Sequence, residues 1–180
     1  MTVRCRSGVA TDDLTLLHRR AVPHGVTAHR DGEFYDWRYA SPEWSRRTYV
    51  ASRSGERIAG VLARTRTTAE GVTVTQLADV GPPRGAAAWK RGLAGCVERV
   101  LADATDADVV SAPARAFPAD LASSYGFLGT EELPLSPLAT TGEVLCVRSL
   151  RDGPRAWRVN GVSLCDPANW HLTFAERDTA

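Results

Sequence analysis

The clearest hydrophobic pattern in the chain runs over residues 89–101. Trp89, Leu93, Cys96, Val97, Val100 and Leu101 recur at helical spacing and lay one apolar stripe along a helix. Lys90, Arg91, Glu98 and Arg99 take the other side. Upstream, residues 48–52, 57–66 and 72–80 read as short strands, separated by Ser54-Gly55 and by Ala69-Glu70-Gly71. Short strands joined by glycine turns predict an antiparallel meander. In the third of them Val72 and Val74 share a face while Leu77 falls on the opposite parity, and this change of phase predicts a β-bulge.

Beyond the long helix the pattern continues in shorter pieces. Residues 107–112, centred on Val109-Val110, predict a short buried strand. Residues 117–125 predict a short helix with Pro118 in its first turn and Gly126 as its stop. After a loop with Pro134 and Pro137, residues 143–150 alternate as a strand, Val144, Cys146 and Arg148 against Leu145, Val147 and Ser149. Residues 157–159 and 170–174 read as two further short strands around Asn160-Gly161. The first 30 residues carry little pattern. Leu14, Leu16 and Leu17 behind Thr11-Asp12-Asp13 suggest a helix start, and Pro23 and Gly25 punctuate the chain after it. A second short helix begins at Asp31, carries Phe34, Tyr35, Trp37 and Tyr39, and stops before Ser41-Pro42; its aromatic cluster reads as core packing. The expected fold is α/β with a mixed sheet, in the order β-β-β-α-β-α-β-β. It comprises an N-terminal arm with short helices at residues 1–46 and a domain at residues 47–180.

Length and composition narrow the class. A chain of 180 residues with 43% hydrophobic and 24% charged positions suits one domain with a proper core. No run approaches the roughly 18 apolar residues of a membrane span. The start, Met-Thr-Val-Arg-Cys-Arg-Ser-Gly, lacks the apolar region of a secretory signal, so a reduced cytoplasmic compartment is expected. The net charge of +1 argues against a dedicated nucleic-acid or membrane-surface binder. Lys90 is the one lysine and Ile58 the one isoleucine. The arginines therefore reflect a coding bias and are not read as a phosphate-recognition set. Cys5, Cys96, Cys146 and Cys165 form no paired motif, and Cys96 and Cys146 sit in apolar segments as core fillers. His18, His24, His29 and His171 have no ligand spacing, so no metal site is expected.

The chemistry concentrates at the junction between the third meander strand and the long helix. A helix N-terminus presents unpaired N–H groups and partial positive charge. Gly85, Ala86, Ala87 and Ala88 are small enough for a ligand to reach that backbone, and Arg84, Lys90 and Arg91 add charge nearby. An anion such as a pyrophosphate is the natural guest. The bland alternative is an alanine-rich first turn chosen for helix propensity.

With these elements in this order, the chain resembles the GNAT (GCN5-related) N-acetyltransferases. The loop Val80-Gly81-Pro82-Pro83-Arg84-Gly85-Ala86 is similar to the family's phosphate-cradling motif with one residue missing before the arginine. Tyr125-Gly126-Phe127 matches the family's short helix ending in Gly-Phe. Phe34 to Tyr39 and Asn169 to Phe174 look like segments of longer two-part members. The resemblance implies acetyl-CoA as cosubstrate, its pyrophosphate on the amides of residues 84–89. It assigns cofactor binding to Val80, Arg84, Gly85, Ala86, Ala87 and Ala88. It further implies direct attack by a small-molecule or peptide amine, with a base and an acid to move its protons. Asp79 is the candidate base, ahead of Glu70 and Glu33, and Tyr125 the candidate acid. The chain departs from the family where Ala87 replaces a loop glycine, where Trp89 replaces a small residue and where Ala122 stands at the usual tyrosine position. Those departures motivate the alternative reading, a non-catalytic module of this fold that packs against a second copy or a partner domain.

Overall fold

The computed structural model describes residues 1–20, 25–114, 116–129, 150, 152–153 and 156–176. The first strand, β1 (Thr2–Ser7), falls where the sequence pattern is weakest. It is an edge strand paired antiparallel to β2, and only Val3 is partly covered, so it needs no alternating apolar face. Helix α1 (Thr11–Arg20) comes next, with Asp12 and Asp13 in its first turn and His18, Arg19 and Arg20 in its last, the charge order that a helix dipole favours. Its Leu14 and Leu17 are buried. They sit close on the sheet because Gly60 lies beneath; a Cβ there would meet Leu17 Cδ1 at 2.8 Å. Helix α2 (Gly32–Arg38) is capped by Asp31, whose carboxylate accepts from the Phe34 amide at 2.9 Å.

The meander forms as the turns predict: β2 (Ser45–Arg53), β3 (Glu56–Thr67) and β4 (Thr73–Gly81) pair antiparallel in sequence. Ser54 and Gly55 both take positive φ, as a tight hairpin between twisted strands requires. The change of phase between Val74 and Leu77 is no bulge, because residues 73–77 pair in regular register and put the two on opposite faces; the strand bulges one residue later, at Ala78. Leu62 pairs with Asp79 and Ala63 with Leu77, which leaves Ala78 as the extra residue of β4. Helix α3 (Ala87–Asp103) crosses one face of the sheet, and β5 (Val109–Ser111) then runs parallel to β4, giving the order β1-β2-β3-β4-β5. A short α4 (Ala119–Ser124) ends at Gly126 in positive φ.

Two cores result. Beneath α3, Leu77 and Val80 of β4 meet Leu93, Cys96, Val97 and Val100 of the helix. On the other face Leu14, Tyr35, Tyr39, Leu62 and Ala78 meet Phe174. The bulge divides β4 between them: Leu77 and Val80 face α3, while Ala78 and Asp79 face α1 and α2.

Some expectations require correction. Residues 107–112 give a strand of three residues that is not buried, since Val109 is 48% exposed. Only one neighbour, β4, pairs with it among the described residues. Trp37 is 72% exposed and belongs to no core, although Tyr35 and Tyr39 on the same helical stretch are buried. Residues 157–163 form a hairpin, β6 (Arg158–Val159) and β7 (Val162–Ser163), turning at Asn160-Gly161. Residues 170–174 are not a strand. Trp170 makes one parallel bridge to Val26, and the segment closes in a 3-10 turn, Phe174–Glu176. The strand expected at residues 143–150, with Cys146, lies outside the described residues apart from Leu150, as does His24. No described helix is long and apolar enough to cross a membrane.

Candidate functional site

The loop between β4 and α3 ends in an open helix terminus. Ala86 occupies the N-cap position without a side chain able to bond inward, and no acidic residue stands in the first turn. The first intrahelical bond runs from the Lys90 amide to Ala86 O, so the amides of residues 86–89 have no helical partner. Arg84, Gly85, Ala86 and Ala87 are exposed. Val80, grouped with them by sequence, is instead a core residue under α3. Trp89 folds back onto the loop. Its indole Nε1 donates to Pro82 O at 3.0 Å, and Gly85 lies so close that a Cβ would meet Trp89 Cβ at 2.4 Å. Gly85 is thus required by the indole as much as by any ligand. Lys90 pairs with Asp120 of α4, and Arg84 is the cation that the loop itself carries on its solvent side.

Tyr125 and Asp79, the candidate acid and base, lie on opposite faces of the sheet. Tyr125 packs with the α3 core and donates its hydroxyl to Ala94 O at 3.3 Å. Asp79 is fully buried on the α1/α2 face. Arg30 Nε donates to both its oxygens, at 3.2 and 3.0 Å; the Tyr35 hydroxyl donates to Oδ2 at 2.9 Å and the Thr173 hydroxyl to Oδ1 at 3.1 Å. Burial alone would raise this carboxyl's pKa, but the guanidinium of Arg30 and the imidazole of His18 outweigh it and hold it well below the usual carboxylate range. Asp79 is therefore an anchor with its lone pairs committed, and a poor proton acceptor. Glu33 is exposed in the first turn of α2, and Glu70 is exposed in the β3–β4 turn at the opposite end of β4.

The anchor draws three segments together. Arg30 also reaches Thr27 Oγ1 and Glu176 Oε1, each at 2.5 Å, and Thr173 Oγ1 at 3.2 Å. Desolvation opposes its charge, yet Asp79 and Glu176 prevail and raise its pKa. Residues 25–30 are tied in turn to the tail: the Val26 amide donates to Asn169 O and the His171 amide to Val26 O. Together these segments cover the carboxyl-terminal half of β4. They leave a cavity of about 10 Å³ beside the loop, lined by His18, Thr27, Arg30, Pro83, His171 and Thr173. A larger, polar cavity of about 140 Å³ lies at the far end of the sheet, between Tyr49, Thr65 and Thr75 on one side and Asp103 and Asp106 on the other.

Sequence reasoning missed Arg30, Thr173 and Glu176. Arg30 lies 49 residues from Asp79 and 143 from Thr173, and Thr173 lies 94 from Asp79. No local period links positions so far apart, and one buried arginine cannot be told from the others of an arginine-rich chain. Among the described residues no group of three or more His, Cys, Asp or Glu side chains could hold a metal ion. No family model, curated protein or solved structure matches the chain.

Proposed function

We propose that the chain is an acyl-CoA-dependent N-acyltransferase of the GNAT type, taking an acetyl group from acetyl-CoA to an amine. The observation that carries this reading is the exposed, uncapped N-terminus of α3, delivered directly from the bulged strand β4. Four amides without helical partners, with the exposed Arg84 in the loop, suit an anion such as a diphosphate. The order of elements also supports it: a meander into a bulged strand, the loop, a long helix, a parallel strand and a short helix. The pyrophosphate would sit on the amides of residues 86–89 with Arg84 beside it, and the thioester would lie toward the carboxyl end of β4. The amine attacks the thioester carbonyl carbon, the C–S bond breaks and the thiolate takes up a proton.

A second reading keeps the fold without the catalysis, as a module that packs on another domain. The filled space over β4 and the engaged hydroxyl of Tyr125 favour it. Isothermal titration with acetyl-CoA separates the two. The first reading expects saturable binding, weakened about tenfold or more in Arg84→Ala by loss of a charge-assisted hydrogen bond. No heat at millimolar acetyl-CoA leaves only the second.

A further inference from the structure

We infer that His18 accepts the proton of the amine to be acylated, with Asp79 beside it as counter-charge; this rests on the acyltransfer reading. His18 lies in the last turn of α1, yet its ring reaches the loop. A Cβ on Gly81 would come within 3.2 Å of both its Cδ2 and Nε2, so the imidazole edge rests on the main chain where β4 passes into the loop. The side chain is 8% exposed, and Nε2 has no hydrogen-bond partner among the described residues. Nε2 lies 3.6 Å from Asp79 Oδ2, near enough for its charge and too far for a bond. A buried polar atom without a partner is uncommon and calls for an explanation.

The cavity supplies one. His18 lines the pocket at the carboxyl end of β4, beside Pro83 of the loop, and that pocket has room for about one water. A base working through one water meets the usual geometric demand. The charged and titratable groups around the ring are Asp79 of β4, Arg30 of the 25–30 segment, Tyr35 of α2, whose ring centroid is 6.5 Å away, and His171 of the tail. Asp79 is the counter-charge for an imidazolium there, and Arg30 is the like charge nearby. An imidazole nitrogen without a partner can take up a proton, which the committed oxygens of Asp79 do not offer.

The step balances simply. A primary ammonium gives one proton to imidazole. The neutral amine forms the C–N bond, the C–S bond breaks and the nitrogen's second proton passes to the departing thiolate. Imidazolium then loses its proton to water.

The test measures thiol release from acetyl-CoA with n-butylamine, spermidine and an unblocked peptide, alongside acetyl-CoA titration of the same proteins. His18→Gln keeps a polar group near Asp79. It should lose about 10²–10⁴-fold in kcat with acetyl-CoA affinity unchanged, and the pH profile of its residual rate should differ from that of the wild type. Added imidazole should restore part of the rate to His18→Ala; where that variant does not fold, His18→Gln decides alone. Wild-type turnover in His18→Gln overturns the assignment, as does a wild type that binds acetyl-CoA and acylates none of the three amines. Absence of acetyl-CoA binding to the wild type overturns the acyltransfer reading itself, and the assignment falls with it.

Discussion

Arg30 and Asp79 set the character of the α1/α2 face. Each is buried, so each was stripped of water on folding, and their mutual attraction offsets a desolvation cost of several kcal/mol per ion. Such a pair adds little against a well-packed apolar alternative, but a lone survivor is costly. Arg30→Met should destabilise the protein by about 3–5 kcal/mol, while Arg30→Met combined with Asp79→Leu should recover much of that loss. Urea melts of the two variants check this; equal losses would show that the tail contacts, and not the charge pair, dominate. Other arginines also serve structure. Arg46 donates to the carbonyls of Tyr39, Ser41 and Trp44, and Arg64 and Arg66 stack on the Trp44 ring at 4.2 and 4.5 Å. These three arginines hold loops and an indole in place.

Helix α3 is the element on which the functional reading depends, and its open terminus can be tested on its own. Ala86→Asp supplies the missing cap and should raise stability by about 0.5–2 kcal/mol. If a diphosphate uses the same amides, that substitution should also weaken acetyl-CoA binding, because it fills the donors and adds a negative charge. A thermal melt and a titration on one sample read both effects; stabilisation with unchanged affinity would move the cofactor elsewhere. The stripe of α3 and the three meander strands are legible in the sequence because each arises from a local period, whereas the change of phase between Val74 and Leu77 marks no bulge, the strand being regular there and bulged only beyond Leu77. The strand β1 is not, because an edge strand with one partly covered side chain has no period to read. The tail misleads for a similar reason: Trp170, Leu172 and Phe174 alternate, yet long-range bonds to Val26 and Asp79 decide its course. Of the candidate site residues, the small loop positions are named by composition and motif. His18 shows in the sequence only as a histidine without ligand spacing, since nothing local brings it to Gly81.

At the scale of the whole molecule, a sheet separates an apolar core under α3 from an ionic one under α1, α2 and the tail. The two should respond differently to acid. A carboxyl whose folded pKa lies below its unfolded value, about 3.9 for Asp, stabilises fully above that value and loses the contribution as pH falls toward the folded pKa. The melting temperature of the wild type should therefore fall below about pH 4 more steeply than that of the Arg30→Met, Asp79→Leu double variant. Parallel curves would place the acid sensitivity in other carboxylates. The surplus residue Ala78 carries a related consequence. Were Ala78 drawn into regular pairing, the pleat beyond it would flip, Asp79 would point into the oil beneath α3, and Val80 would take its place opposite Arg30. One residue left out of the ladder thus decides on which side of the protein its electricity is kept.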